Sequence, residues 1–222
     1  MVSRNKGHGA AQQRAEKQLL VFQQISRFMA KDLPVHDVVE GIVRLVMQHL
    51  HCDSCFLYIK DGDELALCAT HDRPVSEIGT IRLRLDEGLT GWVARERRLL
   101  ALPREAFRDP RFKTFTNLPE DAYEAFLSAP VISLNQVLGV LNVQYRQIHD
   151  HSGDDIEFLT TVGELVGTYL RMTASRRAPI PGSALVAAVL GAPAATGDAT
   201  KAATKATRGT DGLGEKAREA AS

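Results

Sequence analysis

Up to Leu50 the apolar residues recur every three or four positions, and from Ser54 they run consecutively until a turn at Asp61-Gly62-Asp63. A change from helical to strand periodicity within a few residues means that helices and strands share one core. On the helical side, Leu19, Leu20, Phe22, Ile25, Phe28, Met29 and Leu33 mark an amphipathic helix over residues 12–33. Pro34 ends or kinks it. Val35, Val38, Val39, Ile42, Leu45, Val46 and Leu50 form the stripe of a second helix. On the strand side, Ser54 to Ile59 and Glu64 to Ala69 flank the Asp-Gly turn and read as a hairpin.

The same grammar continues. Ile78 to Leu85, with Arg82 and Arg84 alternating with apolar residues, predicts a third strand with one wet face. Asp86 to Gly91 is a turn feeding a short helix from Trp92 to Arg97, and Leu99 to Leu102 is a short strand stopped by Pro103. Arg104 to Asp121 is an irregular crossover; long connections of this kind in compact domains are often functional. Phe126 to Leu134 and Val137 to Tyr145 are strands joined at Asn135-Gln136. Within the second of these, Gly139 costs stability unless a bulge or a close approach needs it. The last helix runs from Gly153 to Met172, with Ser152 as N-cap and Asp155 three residues on. Its stripe is Ile156, Leu159, Val162, Leu165, Val166 and Tyr169.

The expected fold is α+β: an antiparallel sheet with the terminal helices on one face and the crossover on the other. After Met172, Ala, Gly, Thr, Lys and Arg dominate, and Pro179, Pro181 and Pro193 interrupt. Such a stretch buries too little apolar surface to offset its ordering entropy. The expected organisation is therefore a disordered 1–11, a helix at 12–33, a domain at 34–172 and a disordered tail at 173–222.

Charge narrows the partners. Lys+Arg and Asp+Glu are both 27 among 222 residues, so the formal net charge is zero. A surface that neutralises phosphates needs a cationic excess, and nucleic acid is not an expected partner. The N-terminus is polar, no stretch approaches the roughly 20 apolar residues of a membrane span, and the three cysteines are odd in number. A cytoplasmic protein with reduced thiols, not associated with membrane, is expected.

The ordered set of local motifs resembles one family. Leu85-Asp86-Glu87-Gly88-Leu89-Thr90-Gly91-Trp92-Val93-Ala94 is similar to the turn-and-helix signature of GAF domains, relatives of the PAS fold. Arg108-Asp109-Pro110-Arg111-Phe112 resembles their crossover motif. Leu127 to Ile132 followed by Val137 to Asn142 resembles their central β pair, and Asp154 to Leu159 the start of their last helix. Phe112 to Glu124 resembles the GAF module that precedes the nitrogen-type phosphotransferase Enzyme I. The resemblance implies a GAF/PAS-like sheet and a non-catalytic sensory or regulatory module in signal transduction. It would bind a small molecule, act through a protein partner, or both. It also implies a homodimer, here through the N- and C-terminal helices. No cofactor is named by it.

The expected pocket lies between sheet and crossover, with His71, Arg104, Arg108, Arg111 and Tyr123 as polar groups and Trp92 and Phe115 as apolar walls. The arginines would suit an anion. Two alternatives stand beside this reading. Free methionine sulfoxide reductases are GAF enzymes with cysteines in the crossover and near the turn-helix, where this chain has none, and no catalytic residue is assigned. A module with a filled core would serve interaction alone. Cys52-Asp53-Ser54-Cys55 spells C-x-x-C, but a strand from Ser54 would send Cys52 and Cys55 to opposite faces, so no metal is assigned. Asp53-Ser54-Cys55-Phe56 matches a bilin-attachment motif but lies too early in the chain. Asn142 lacks the lysine that follows it in cyclic-nucleotide-binding relatives.

Overall fold

A computed structural model describes residues 3–71, 78–112, 123–175 and 182–190. The first helix, α1, spans Ser3–Ala30, and α2 spans Val35–Leu50. Pro34, extended at φ −53° and ψ 143°, separates them. Strands β1 (Ser54–Asp61) and β2 (Glu64–Thr70) form the expected hairpin, with Gly62 at φ 62° in its turn. There follow β3 (Arg82–Arg84), α3 (Gly88–Glu96), β4 (Leu100–Leu102), a short 3-10 turn at Ala106–Arg108, β5 (Ala125–Ser133) and β6 (Gln136–Tyr145). Helices α4 (Gly153–Ser175) and α5 (Gly182–Leu190) complete the described chain.

The six strands form one antiparallel sheet in the order β3-β2-β1-β6-β5-β4. Register in the centre pairs Leu57 with Leu141 and Cys55 with Val143. Alternation sends these residues, with Ile59, Leu127 and Val131, to a core shared with Ile25 of α1, Val39 and Ile42 of α2, and Phe158 and Val162 of α4. The other face carries Phe56, Tyr58, Leu65, Phe126 and Val140 against Leu89, Val93 and Ala94 of α3. The α+β expectation holds, with helices on one face and α3 and the crossover on the other.

Several details differ from the sequence reading. The third strand is three residues, because residues 78–80 form a turn; Arg82 Nη1 holds it by donating to Asp61 and Glu64, each at 3.0 Å. Helix α3 starts at Gly88, four residues early. The β5–β6 turn sits at Leu134 and Asn135, both left-handed. The register shifts between Val131 and Ile132, leaving Leu138 as a bulge. Gly139 follows from it, since a Cβ there would run into the Tyr58 carbonyl oxygen.

The ends differ more. Helix α1 starts at Ser3, not near residue 12: once the packed half around buried Ile25 is nucleated, each further residue adds a hydrogen bond. Beyond Met172, α4 continues to Ser175, and residues 182–190, expected to be disordered, form α5. Leu185, Val186 and Val189 of α5 are buried, and the helix packs on α2, β1 and β2. A nine-residue apolar run was diluted by the composition around it. Residues 176–181 and 191–222 lie outside the described residues. Among the described residues no helix is long and apolar enough to cross a membrane.

Candidate functional site

The apolar face under α3 has a row of buried polar residues set into it. Strand alternation aims Asn142 and Gln144 of β6, Ser128 of β5 and Ser54 of β1 at this face, while Leu141, Val143 and Tyr145 point to the helices. Ser128 Oγ donates to Asn142 Oδ1 at 2.5 Å, and Asn142 Nδ2 donates to Thr90 Oγ1 of α3 at 2.8 Å. Ser128, Asn142 and Thr90 are all buried. Burying polar groups is unfavourable unless they are bonded, so this chain fixes how α3 sits on the sheet. Gln144, 7% exposed, has an Oε1 with no hydrogen-bond partner. Ser54 and Thr70 extend the buried polar set to β1 and β2. These residues are uncharged, and among them Gln144 Oε1 is the acceptor left open to a hydrogen-bond donor. None of them is among the pocket residues expected from sequence, although polar residues at alternate positions inside apolar strands were a visible signal.

The residues singled out from sequence fall into three groups. Trp92 and Arg111 meet: the guanidinium lies 4.5 Å from the indole centroid, a cation–π contact. Asp109 fixes that pose, accepting from Arg111 N, Nε and Nη2 at 2.9, 2.8 and 2.6 Å. Those hydrogen bonds hold the Asp109 carboxyl below its ordinary range and raise the Arg111 pKa. Arg104, Arg108 and Tyr123 flank the crossover. Arg108 is exposed and paired with Glu105 at 2.6 Å, Arg104 is exposed, and Tyr123 is buried with the Arg146 guanidinium 5.8 Å from its ring centroid. His71 is exposed at the end of β2, with β1 and β6 between that strand and β5. Phe115 lies outside the described residues.

The crossover edge is tied to the helical side by the β6–α4 connection. His149 N donates to Pro103 O at 3.0 Å, and His151 Nε2 lies 3.2 Å from Leu102 O. The expected cap then starts α4: Asp155 N donates to Ser152 Oγ and Ser152 N to Asp155 Oδ2. Burial lowers the His151 pKa.

All three cysteines of the chain pack in the core on the helical face, none in a disulfide. Cys52 and Cys55 are thus on the same side, against expectation, because Cys52 precedes β1 and escapes its alternation. Burial pushes the Cys68 thiol up to about 12. Among the described residues no three His, Cys, Asp or Glu side chains are grouped to hold a metal ion.

Comparison with known proteins agrees with this architecture. The Nif-specific regulatory protein of Azospirillum lipoferum is 26% identical over 164 residues, covering 70% of this chain and 26% of the relative. The chain thus spans about a quarter of that relative's length. The GAF domain of a phosphoenolpyruvate-protein phosphotransferase (ptsP) from Coxiella burnetii superposes with a TM-score of 0.69 at 25% identity, covering 74% of this chain and 98% of the other. The free methionine-R-sulfoxide reductase of Neisseria meningitidis, solved with its substrate, has a TM-score of 0.60 at 15% identity, covering 75% and 93%, a likeness of fold alone. The profile of the GAF domain family matches residues 32–171, and the chain belongs to that family, whose domains occur in regulatory proteins.

Proposed function

We propose that this chain is a non-catalytic GAF module of signal transduction, which binds a small polar molecule between the sheet and α3 and passes the occupancy on through its helices. The observation that carries the reading is the buried uncharged set on that face, above all the unpartnered Gln144 Oε1. A natural core retains an unsatisfied acceptor at a cost, and a ligand donor would remove that cost. Trp92 and Arg111 would line the crossover side, with His71, Arg104, Arg108 and Tyr123 at its margin. Cytoplasmic placement accompanies this reading, and the ligand is not identified.

Thiol chemistry is disfavoured by geometry. A nucleophilic cysteine must reach the ligand as a thiolate, whereas all three thiols lie on the opposite face and Cys68 is raised to about 12. The test is a thermal-shift screen of metabolites on the intact chain, because a ligand that binds the native state raises its apparent stability. Turnover of free methionine sulfoxide, assayed beside it, would overturn the non-catalytic reading. A screen without any stabilising compound would favour a module that only binds proteins.

Output through a homodimer is part of the proposal. Ile25, Val162, Val166 and Tyr169 are already buried within the chain, and Phe22 stacks on Phe158 at 5.4 Å. Among the described side chains of α1, the large apolar ones left exposed are Leu19 and Leu20, each 57% exposed. A second copy covering them would give a closed two-fold pair. Sedimentation of the wild type and of Leu19→Glu with Leu20→Glu tests this: dissociation of a dimer is expected, and a monomeric wild type contradicts it.

A further inference from the structure

Helix α5 lies beyond the part of the chain that matches the GAF family, which ends at residue 171. It has no charged residue, and Ser183 is its one polar side chain in the sequence Gly-Ser-Ala-Leu-Val-Ala-Ala-Val-Leu. Leu185, Val186 and Val189 enter the core between α2, β1 and β2, and Ala184, Ala187, Ala188 and Leu190 are half-buried. The fit is incomplete. A cleft of about 160 Å³ remains where Leu185 and Ala188 face Met29 and Leu33 near the α1–α2 connection and Tyr169 of α4. A nine-residue helix with three buried anchors is short for independent stability and depends on what it docks against.

We propose that α5 is a detachable ligand supplied by the chain itself, and that the α2–β1–β2 groove beneath it is a docking site for a short apolar helix, closed in cis by α5. The helix also reaches the turn that enters β3. Gly79, at φ +83°, donates its N–H to Leu67 O at 2.7 Å, and a Cβ on Gly79 would stand 2.7 Å from Leu190 Cδ1. Departure of α5 removes the Leu190 contact from this turn, which stays bonded to Leu67 of β2, and the chain beyond it leads through β3 to α3. Undocking on the helical face is in this way linked to the opposite face of the sheet. The linkage does not require that a small molecule bind there.

Hydrogen exchange on the intact chain, read with a labelled peptide of residues 182–190 carrying added terminal lysines, tests the proposal. The amides of α5 are expected to exchange at least about tenfold faster than those of α2, β1 and β6, as a local opening does. Val189→Asp is expected to strip the remaining protection from α5 alone and to let the labelled peptide bind, while Leu190→Ala loosens α5 and the Gly79 turn together. Exchange of α5 in step with β1 and β6 would overturn the proposal. So would collapse of the whole sheet's protection in Val189→Asp, which would make α5 an integral core element. Failure of the peptide to bind the opened chain would overturn the docking site.

Discussion

Gln144 and Asn142 sit two positions apart on one strand face and separate two kinds of buried polar residue. Asn142 is bonded on both sides, so Asn142→Leu leaves the Thr90 and Ser128 hydroxyls without it and is expected to destabilise by about 1–3 kcal/mol. Gln144→Leu removes an acceptor with no partner and is expected to leave the ligand-free protein as stable as before, or about 1 kcal/mol more stable. Chemical denaturation of both variants checks the contrast; equal losses would mean that Oε1 is satisfied. His49 and His151 give the pH dependence. Burial lowers both below the ordinary 6.5, so the unfolded chain takes up protons first as pH falls. Stability is expected to be level between about pH 7 and 8 and to decline as pH drops below 6.5. His151→Gln should flatten part of that decline in thermal midpoints taken from pH 8 to 5, and an unchanged slope would contradict it. Asp109 acts in a lower window: its depressed pKa stabilises above the ordinary carboxylate range, and that stability is lost as pH falls through the folded value.

At the scale of elements, legibility followed the strength of local signals. The stripe of α2, the Asp-Gly hairpin and the Ser152–Asp155 cap were plain because one short stretch decides each. Strand β3 read too long because a Gly79 turn interrupts an apolar run without changing its composition. The polar row under α3 was hidden because it is assembled from β5, β6 and α3, and only the register shows that Ser128, Asn142 and Thr90 meet. The bulge was half legible: Gly139 signalled it, but not that Leu138 would be the extra residue. That distinction separates Leu138 from Leu141 on the same strand. Leu141 is 1% exposed at the sheet centre, and Leu141→Ala is expected to cost about 2–5 kcal/mol. Leu138, half-buried at the bulge, is expected to cost clearly less. Equal midpoint shifts would contradict the register.

For the whole molecule, the sheet divides two tasks. One face meets α1, α2, α4 and α5 through an apolar core that also contains all the thiols. The other meets α3 and the crossover through a second apolar cluster with buried polar groups set into it. The two sides are joined at opposite ends, by the His149 and His151 contacts to Pro103 and Leu102 and by the Leu190 contact at Gly79. A molecule bound under α3 can shift the helices only by its differential affinity for two arrangements of these joints. Its presence is the central claim, and native mass spectrometry of the chain and of Gln144→Leu, each incubated with a small-molecule cell extract, tests it most directly. A small-molecule adduct on the wild type, lost or greatly reduced in Gln144→Leu, is the expected result; bare polypeptide in both spectra, or the same adduct on both, would contradict it.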